Sequence, residues 1–579
     1  MLASRDPPLL LLAAAAAAIA VAAWLCAPRR LLRSPIAAAV TAFAVVALGS
    51  VWIWGSRYTP AAVYHMGLLV GAYALGRGFA QRGRSGNALA ILVAVALAVS
   101  AYGLWQRAWL GAARADAWFE TPNLMAAFVN LALAPLAVLV LLRGPRFLRL
   151  AALTGLSAAL AATQSRGGAL GLAGAAATTA LLLIGGGWRP ATRTIAALGA
   201  SFALGYGLAM LAPQALALKG ATVSEAAQVA TAEAVSPKAR LDSAASRLEL
   251  YALAANAARA RPLAGSGYLD FGRLFDREQA RVPSYEPGMA TLFVHDDYLQ
   301  VLLELGLLGL LPFLAFTALP PLLGYFRKAM LQPGSSAGDA YGIAVLAGLA
   351  SMATHALVDF PFYVPGTLAA YGLLLGIADE WLHPAPVSDA PRSPGALARV
   401  LRTALAALAA YALAIPAAAE GCAVFARERV QRGDVADAVY WLQVGRNFDP
   451  RDWRRHWQLA ALLAQQASLL RDPRLAQLAA QAYEAGMRAD PGDVHNLLGW
   501  LTLERTFGPR LAHPAPRAQL LARMNEAVAL APLDTAVRVE RVLMLRYLGE
   551  ARQARETAQA LLRDFPGDPA LRRLVAEQG

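Results

Sequence analysis

Apolar and polar positions divide this chain into two parts. From residue 8 to residue 417 apolar residues come in long unbroken runs, and beyond residue 420 they fall to helical spacing among rising charge. A bilayer core needs roughly 20 apolar residues of helix. Runs of that kind recur near 8–27, 36–54, 60–79, 87–109, 122–142, 147–163, 167–187, 193–213, 297–325, 340–358, 365–382 and 399–418. The pattern predicts an all-α, polytopic membrane helix bundle of about 12 spans over residues 1–418. The long polar interval 214–295 predicts a large extramembrane loop. The first run carries one Arg and one Asp ahead of it and no small-residue cleavage site before the next run, so it reads as a helix rather than a secretory signal.

In the second part, proline punctuation recurs at Asp449-Pro450, Asp490-Pro491, Ala531-Pro532 and Asp568-Pro569. Each follows an amphipathic run such as Ala480 to Ala489. Helix pairs closed by a proline every ~34 to 41 residues read as tetratricopeptide-like repeats, which stack because no single pair can bury its own apolar face. Residues 420–579 are therefore expected to form a separate helical repeat domain, and the Pro- and Ser-rich stretch 384–398 a linker.

Composition agrees with a membrane protein: 58% of residues are hydrophobic, 16% are charged, and the mean hydropathy is +0.44. The net charge of +14 is not a nucleic-acid signature, because the basic residues follow the span pattern. Arg29, Arg30 and Arg33 follow the first span, and Arg77, Arg82 and Arg84 the third. Arg143, Arg146 and Arg149 follow the fifth, Arg189 and Arg193 the seventh, Arg327 and Lys328 the ninth. Basic loops after odd-numbered spans lie in the cytoplasm by the positive-inside rule. The loop 214–295, the turns 164–168 and 359–364, and everything after residue 418 are then expected outside. Two cysteines, Cys26 and Cys422, predicted on opposite sides, build neither a disulfide framework nor a metal cluster.

The candidate chemistry gathers at the outer face. His295 stands where the polar loop ends and an apolar helix begins, in Val294-His295-Asp296-Asp297-Tyr298-Leu299. The positive end of a helix macrodipole favours a neutral imidazole, the form that accepts a proton. Arg166 lies in a tight turn, Ser165-Arg166-Gly167-Gly168, between two spans, where a guanidinium is costly unless it faces an aqueous cavity or meets an anion. Arg247 opens an amphipathic helix of the outer loop, which leads into Pro262-Leu263-Ala264-Gly265-Ser266-Gly267. Two guanidinium forks and one imidazole suit a single reaction, in which the forks hold a pyrophosphate while the imidazole deprotonates an attacking hydroxyl. Asp296 and Asp297 lack further carboxylates at ligand spacing, so no hard-cation site is expected there.

These motifs, in this order and joined by Glu304-Leu305-Gly306, resemble the bacterial O-antigen ligase and polysaccharide polymerase superfamily, which also contains protein O-oligosaccharyltransferases. Phe119-Glu120-Thr121-Pro122-Asn123 is similar to the approach to that family's fifth helix, and His355-Ala356-Leu357-Val358-Asp359-Phe360-Pro361 to its later outer-face motif. The sequence departs from the pattern at Asp296, where Asn is frequent, and in keeping only Tyr251 of the aromatics that usually follow the loop arginine. The resemblance implies a C-type, inverting glycosyltransferase in the inner membrane, acting at the periplasmic face without metal, nucleotide sugar or other cofactor. Its donor would be a glycan on undecaprenyl pyrophosphate. His295 would be the general base, and Arg166 and Arg247 would bind the diphosphate. Asp296, Asp297 or Tyr298 would orient the acceptor or the base, while Glu304 is structural.

The acceptor would be a growing glycan, a lipid A core sugar, or a Ser or Thr of a pilin-like protein. A polysaccharide ligase or polymerase is the preferred expectation and protein O-oligosaccharyltransferase the alternative. A flippase or transporter would concentrate charge at the bilayer midplane and show repeated halves, and a repeat scaffold without catalysis would leave the loop arginines unexplained.

Overall fold

The computed structural model describes residues 34–54, 59–109, 112–119, 121–184, 192–217, 244–282, 291–329, 337–384, 418–419, 421–565 and 569–576. Among the described residues all regular structure is helical. Ten of the predicted membrane stretches coincide with helices: α1 (Pro35–Trp54), α2 (Thr59–Gln81), α3 (Ser85–Trp109), α4 (Pro122–Arg143), α5 (Phe147–Thr163), α6 (Arg166–Ile184), α7 (Thr192–Ala217), α10 (Asp297–Ala329), α11 (Ala337–His355) and α12 (Pro365–Leu382). The outer loop supplies α8 (Ala244–Ala260) and α9 (Phe271–Glu278). Four helices, α3, α4, α6 and α10, are long and apolar enough to cross a membrane. The stretches predicted as first and last spans lie outside the described residues, as do Cys26 and residues 218–243.

Close packing follows from small residues. A Cβ on Gly76 would lie 2.0 Å from the Leu373 carbonyl oxygen, and one on Gly376 1.9 Å from that of Tyr73, so α2 and α12 run nearly backbone to backbone. α11 packs on both α4 and α6, α5 on α7, and α10 on α1. The sequence places Arg77 in a loop, yet it sits inside α2, 5% exposed, because acidic partners on α12 accept it. Its Nε donates to Glu380 at 2.9 Å and its Nη1 to Asp379 at 3.0 Å, while the Tyr73 and Ser34 hydroxyls also donate to Asp379. A buried charge persists only when paired in this way.

Helix α10 is broken at Gly306, whose φ is +61°. The Pro262–Gly267 turn fills the break. Leu307 and Leu308 N–H groups donate to the carbonyls of Pro262 and Leu263 at 2.8 and 3.1 Å, and Ser266 and Gly267 N–H groups to those of Leu303 and Glu304 at 3.1 and 2.8 Å. Only glycine fits this crossing: a Cβ on Gly306 would lie 2.3 Å from the Leu263 backbone, and one on Gly265 2.2 Å from the Glu304 oxygen. Buried Glu304 completes the joint, accepting from the Leu269 N–H at 2.8 Å, the Tyr363 hydroxyl at 2.8 Å and the Gln300 amide at 3.1 Å.

Beyond a helix at 421–431 come α13 (Val435–Phe448), α14 (Trp453–Leu470), α15 (Pro473–Ala489), α16 (Val494–Phe507), α17 (Arg517–Leu530), α18 (Thr535–Tyr547), α19 (Ala551–Asp564) and α20 (Pro569–Ala576). Asp434, Asp452, Asp472, Asp493 and Asp534 each cap the following helix through a side-chain oxygen. Three of the four predicted prolines mark ends, since α13, α15 and α17 stop just before Asp449-Pro450, Asp490-Pro491 and Ala531-Pro532, whereas Pro569 opens α20. These helices bury a core of their own around Tyr483, Trp500 and Phe507.

Candidate functional site

The short segment from Ala356 to Val364, between α11 and α12, meets His295, Arg247 and Asp297. His295 precedes α10 by two residues, with φ at +64°, rather than lying in its first turn. Its Nδ1 meets Asp359 Oδ1 at 3.2 Å and its ring stands edge-on to Phe360, centroids 5.0 Å apart. The His295 side chain is 22% exposed and that of Asp359 2%. Burial alone would raise the Asp359 carboxyl, yet the hydrogen bond and charge of His295, with His355 and Arg247 nearby, bring it down to about 2. An ionised Asp359 can only accept, so a neutral imidazole here would carry its proton on Nδ1 and present Nε2 as the proton acceptor.

Arg247, in the first turn of α8, donates from Nη1 to the Val358 carbonyl at 2.6 Å, one residue before Asp359. Tyr251, one turn on, donates to the His295 carbonyl at 2.8 Å, and burial followed by the charge of Asp296 pushes its hydroxyl up to about 12. Leu250, Leu253 and Ala254 of α8 pack with Phe271, Phe275, Val294 and Leu303 under the same loop. Arg166 is the first residue of α6, exposed, with no partner among the described residues. Its neighbour Gly167 lies against the buried His355 ring, where a Cβ would come 2.7 Å from Nε2. Arg247 and His295 thus each contact the turn after α11, at Val358 and Asp359, whereas Arg166 itself makes no contact with it among the described residues and only its neighbour Gly167 packs on His355.

The remaining predicted residues anchor backbone. Asp296 accepts from the Leu299 N–H at 2.9 Å, and burial raises its carboxyl above the usual range. Buried Asp297 accepts from the Phe362 N–H at 2.9 Å, while its own N–H donates to the Ala356 carbonyl at 2.9 Å. The Tyr298 hydroxyl donates to the Ala353 carbonyl at 2.9 Å. The contact to His295 expected of Asp296 or Asp297 is made by Asp359, which the sequence reading gave no role. A carboxylate between apolar Val358 and Phe360 was the available signal. His355, fully buried with neither ring nitrogen hydrogen-bonded among the described residues, was also passed over.

Residues 150–314 match the family model described as O-antigen ligase. The expected relation to the O-antigen ligase superfamily is borne out over that stretch, which includes Arg166, Arg247 and His295 and ends before Asp359. A comparison with curated proteins gave no match.

Proposed function

We propose that this O-antigen ligase domain transfers a glycan from undecaprenyl pyrophosphate to an acceptor hydroxyl on another glycan, at the periplasmic face of the inner membrane. The observation that supports the reading best is the His295–Asp359 pair at 3.2 Å, on the turn that also receives Arg247. The acceptor oxygen attacks the anomeric carbon, and its proton passes to His295 Nε2. The carbon–oxygen bond to the diphosphate breaks as the new one forms, with inversion, and undecaprenyl pyrophosphate leaves. Asp359 holds the ring and stabilises the imidazolium. Arg166 and Arg247 take up the charge that develops on the diphosphate, where a preorganised donor acts most strongly.

The test is transfer from purified lipid-linked glycan to polysaccharide acceptor by the full chain in vesicles. His295→Ala should lose about 10² to 10⁴ in rate while accumulating normally in the membrane. Near-normal transfer by that variant would sink the assignment, and transfer to a protein hydroxyl alone would replace the glycan acceptor by a pilin-like one.

A further inference from the structure

The repeat domain holds a cavity of about 570 Å³ among α15, α16 and α17, within the range of about 300–1,000 Å³ that ligand clefts occupy. Met487 and Leu497 give it apolar surface. Trp500 also lines it, 2% exposed, and its indole N–H has no hydrogen-bond partner among the described residues. A buried donor left unmade is costly unless something completes it. Gln519, Arg523 and Glu526 stand on another wall, the last two paired at 2.7 Å.

Carboxylate, guanidinium and amide groups side by side offer both donors and acceptors to vicinal hydroxyls, while the apolar floor suits the C–H face of a sugar ring. The facing pair Glu484 and Arg488 likewise joins opposite charges, 3.9 Å apart, so the walls favour a neutral polyhydroxylated ligand over an ionic one. Asp493 spends its carboxylate capping α16, accepting from the Asn496 N–H at 3.0 Å. The cavity also adjoins the transferase loop. Arg273 of α9 donates to Asp490 at 2.7 Å and lies against Gly492, and Pro491 between them lines the cavity.

We propose that this cavity binds a short stretch of glycan chain away from the reaction centre, which presents the chain to the 262–295 loop. The proposal rests on the reading of the protein as a glycan transferase. Its test is calorimetric titration of the full chain in detergent with two probes. One is the host's lipid-linked glycan released by mild acid, the other core oligosaccharide released from the host's lipopolysaccharide. At least one should bind the wild-type chain and His295→Ala alike, and the one that binds identifies the donor or acceptor side. Trp500→Phe and the doubly substituted Gln519→Ala/Arg523→Ala chain should each weaken binding about tenfold or more. Unchanged binding in both variants would overturn the proposal, as would absence of binding by both probes, or a photocrosslinker at position 519 that captures only polypeptide. Binding with no transfer by the wild-type chain would instead remove the transferase reading and leave the cavity assignment standing.

Discussion

In the proposed reaction, the Asp359 contact to Nδ1 sets which ring nitrogen of His295 meets the acceptor. An amide at that position can donate to Nδ1 and send the proton to Nε2, so Asp359→Asn should cut the rate of transfer by about 10² to 10⁴ with donor affinity unchanged. Equal loss of donor affinity would make Asp359 a folding residue. Its carboxyl lies near 2 in the folded chain against an ordinary 3.8. The stabilisation it gives is complete above the ordinary value and is lost as pH falls from there through the folded one. Thermal melting in detergent should accordingly drop more between pH 4 and pH 2 for wild type than for Asp359→Asn. Arg247 combines a backbone contact with positive charge, and an ammonium cannot supply two parallel donors. Arg247→Lys should lose much of the activity and weaken donor binding, whereas unchanged affinity for the lipid-linked donor would confine Arg247 to holding Val358.

At the scale of elements, the Gly265–Gly306 crossing joins two motifs that lie about forty residues apart into one unit. Gly306→Ala would strain a positive φ, at about 1 to 3 kcal/mol, and drive a methyl into the Leu263 backbone. Reduced folded protein by size-exclusion chromatography in detergent is the expected outcome, and a normal yield would mean that the turn can withdraw from the break. The helices were legible because apolar runs of membrane length leave few alternatives, and those beyond residue 420 because proline punctuates amphipathic runs. The break in α10 was not legible: Leu-rich sequence continues on both sides of Gly306, and the hydrogen bonds that close it come from the distant Pro262–Gly267 turn. Arg77 misled for a related reason, since its acidic partners stand some 300 residues away on α12. His295 and Arg166 stood out as polar groups at the ends of apolar runs, and Arg247 as the basic residue that opens an amphipathic helix of the loop. Asp359 stayed hidden because its role depends on a partner that only the fold brings near.

Across the whole molecule, the helices beyond residue 420 are joined to α9 of the outer loop by the Arg273–Asp490 bridge, whose side chains are 13% and 3% exposed. Arg273→Ala and Asp490→Ala should each speed proteolytic release of the C-terminal helices, and the pair together should do little more than either alone, because both remove one contact. Simple additivity would show that the two act independently. The order of basic loops predicts that cysteines placed at 220–240 and at 500–510 both react with an impermeant thiol reagent in intact spheroplasts, and labelling of only one would break the span count between them. The helical turns of α10 before Gly306 are hydrogen-bonded to the Pro262–Gly267 turn, so His295 rides with the protein's own scaffold. A thicker or thinner bilayer is then absorbed by tilt of the segment after Gly306, and turnover in vesicles of differing acyl length should stay nearly constant.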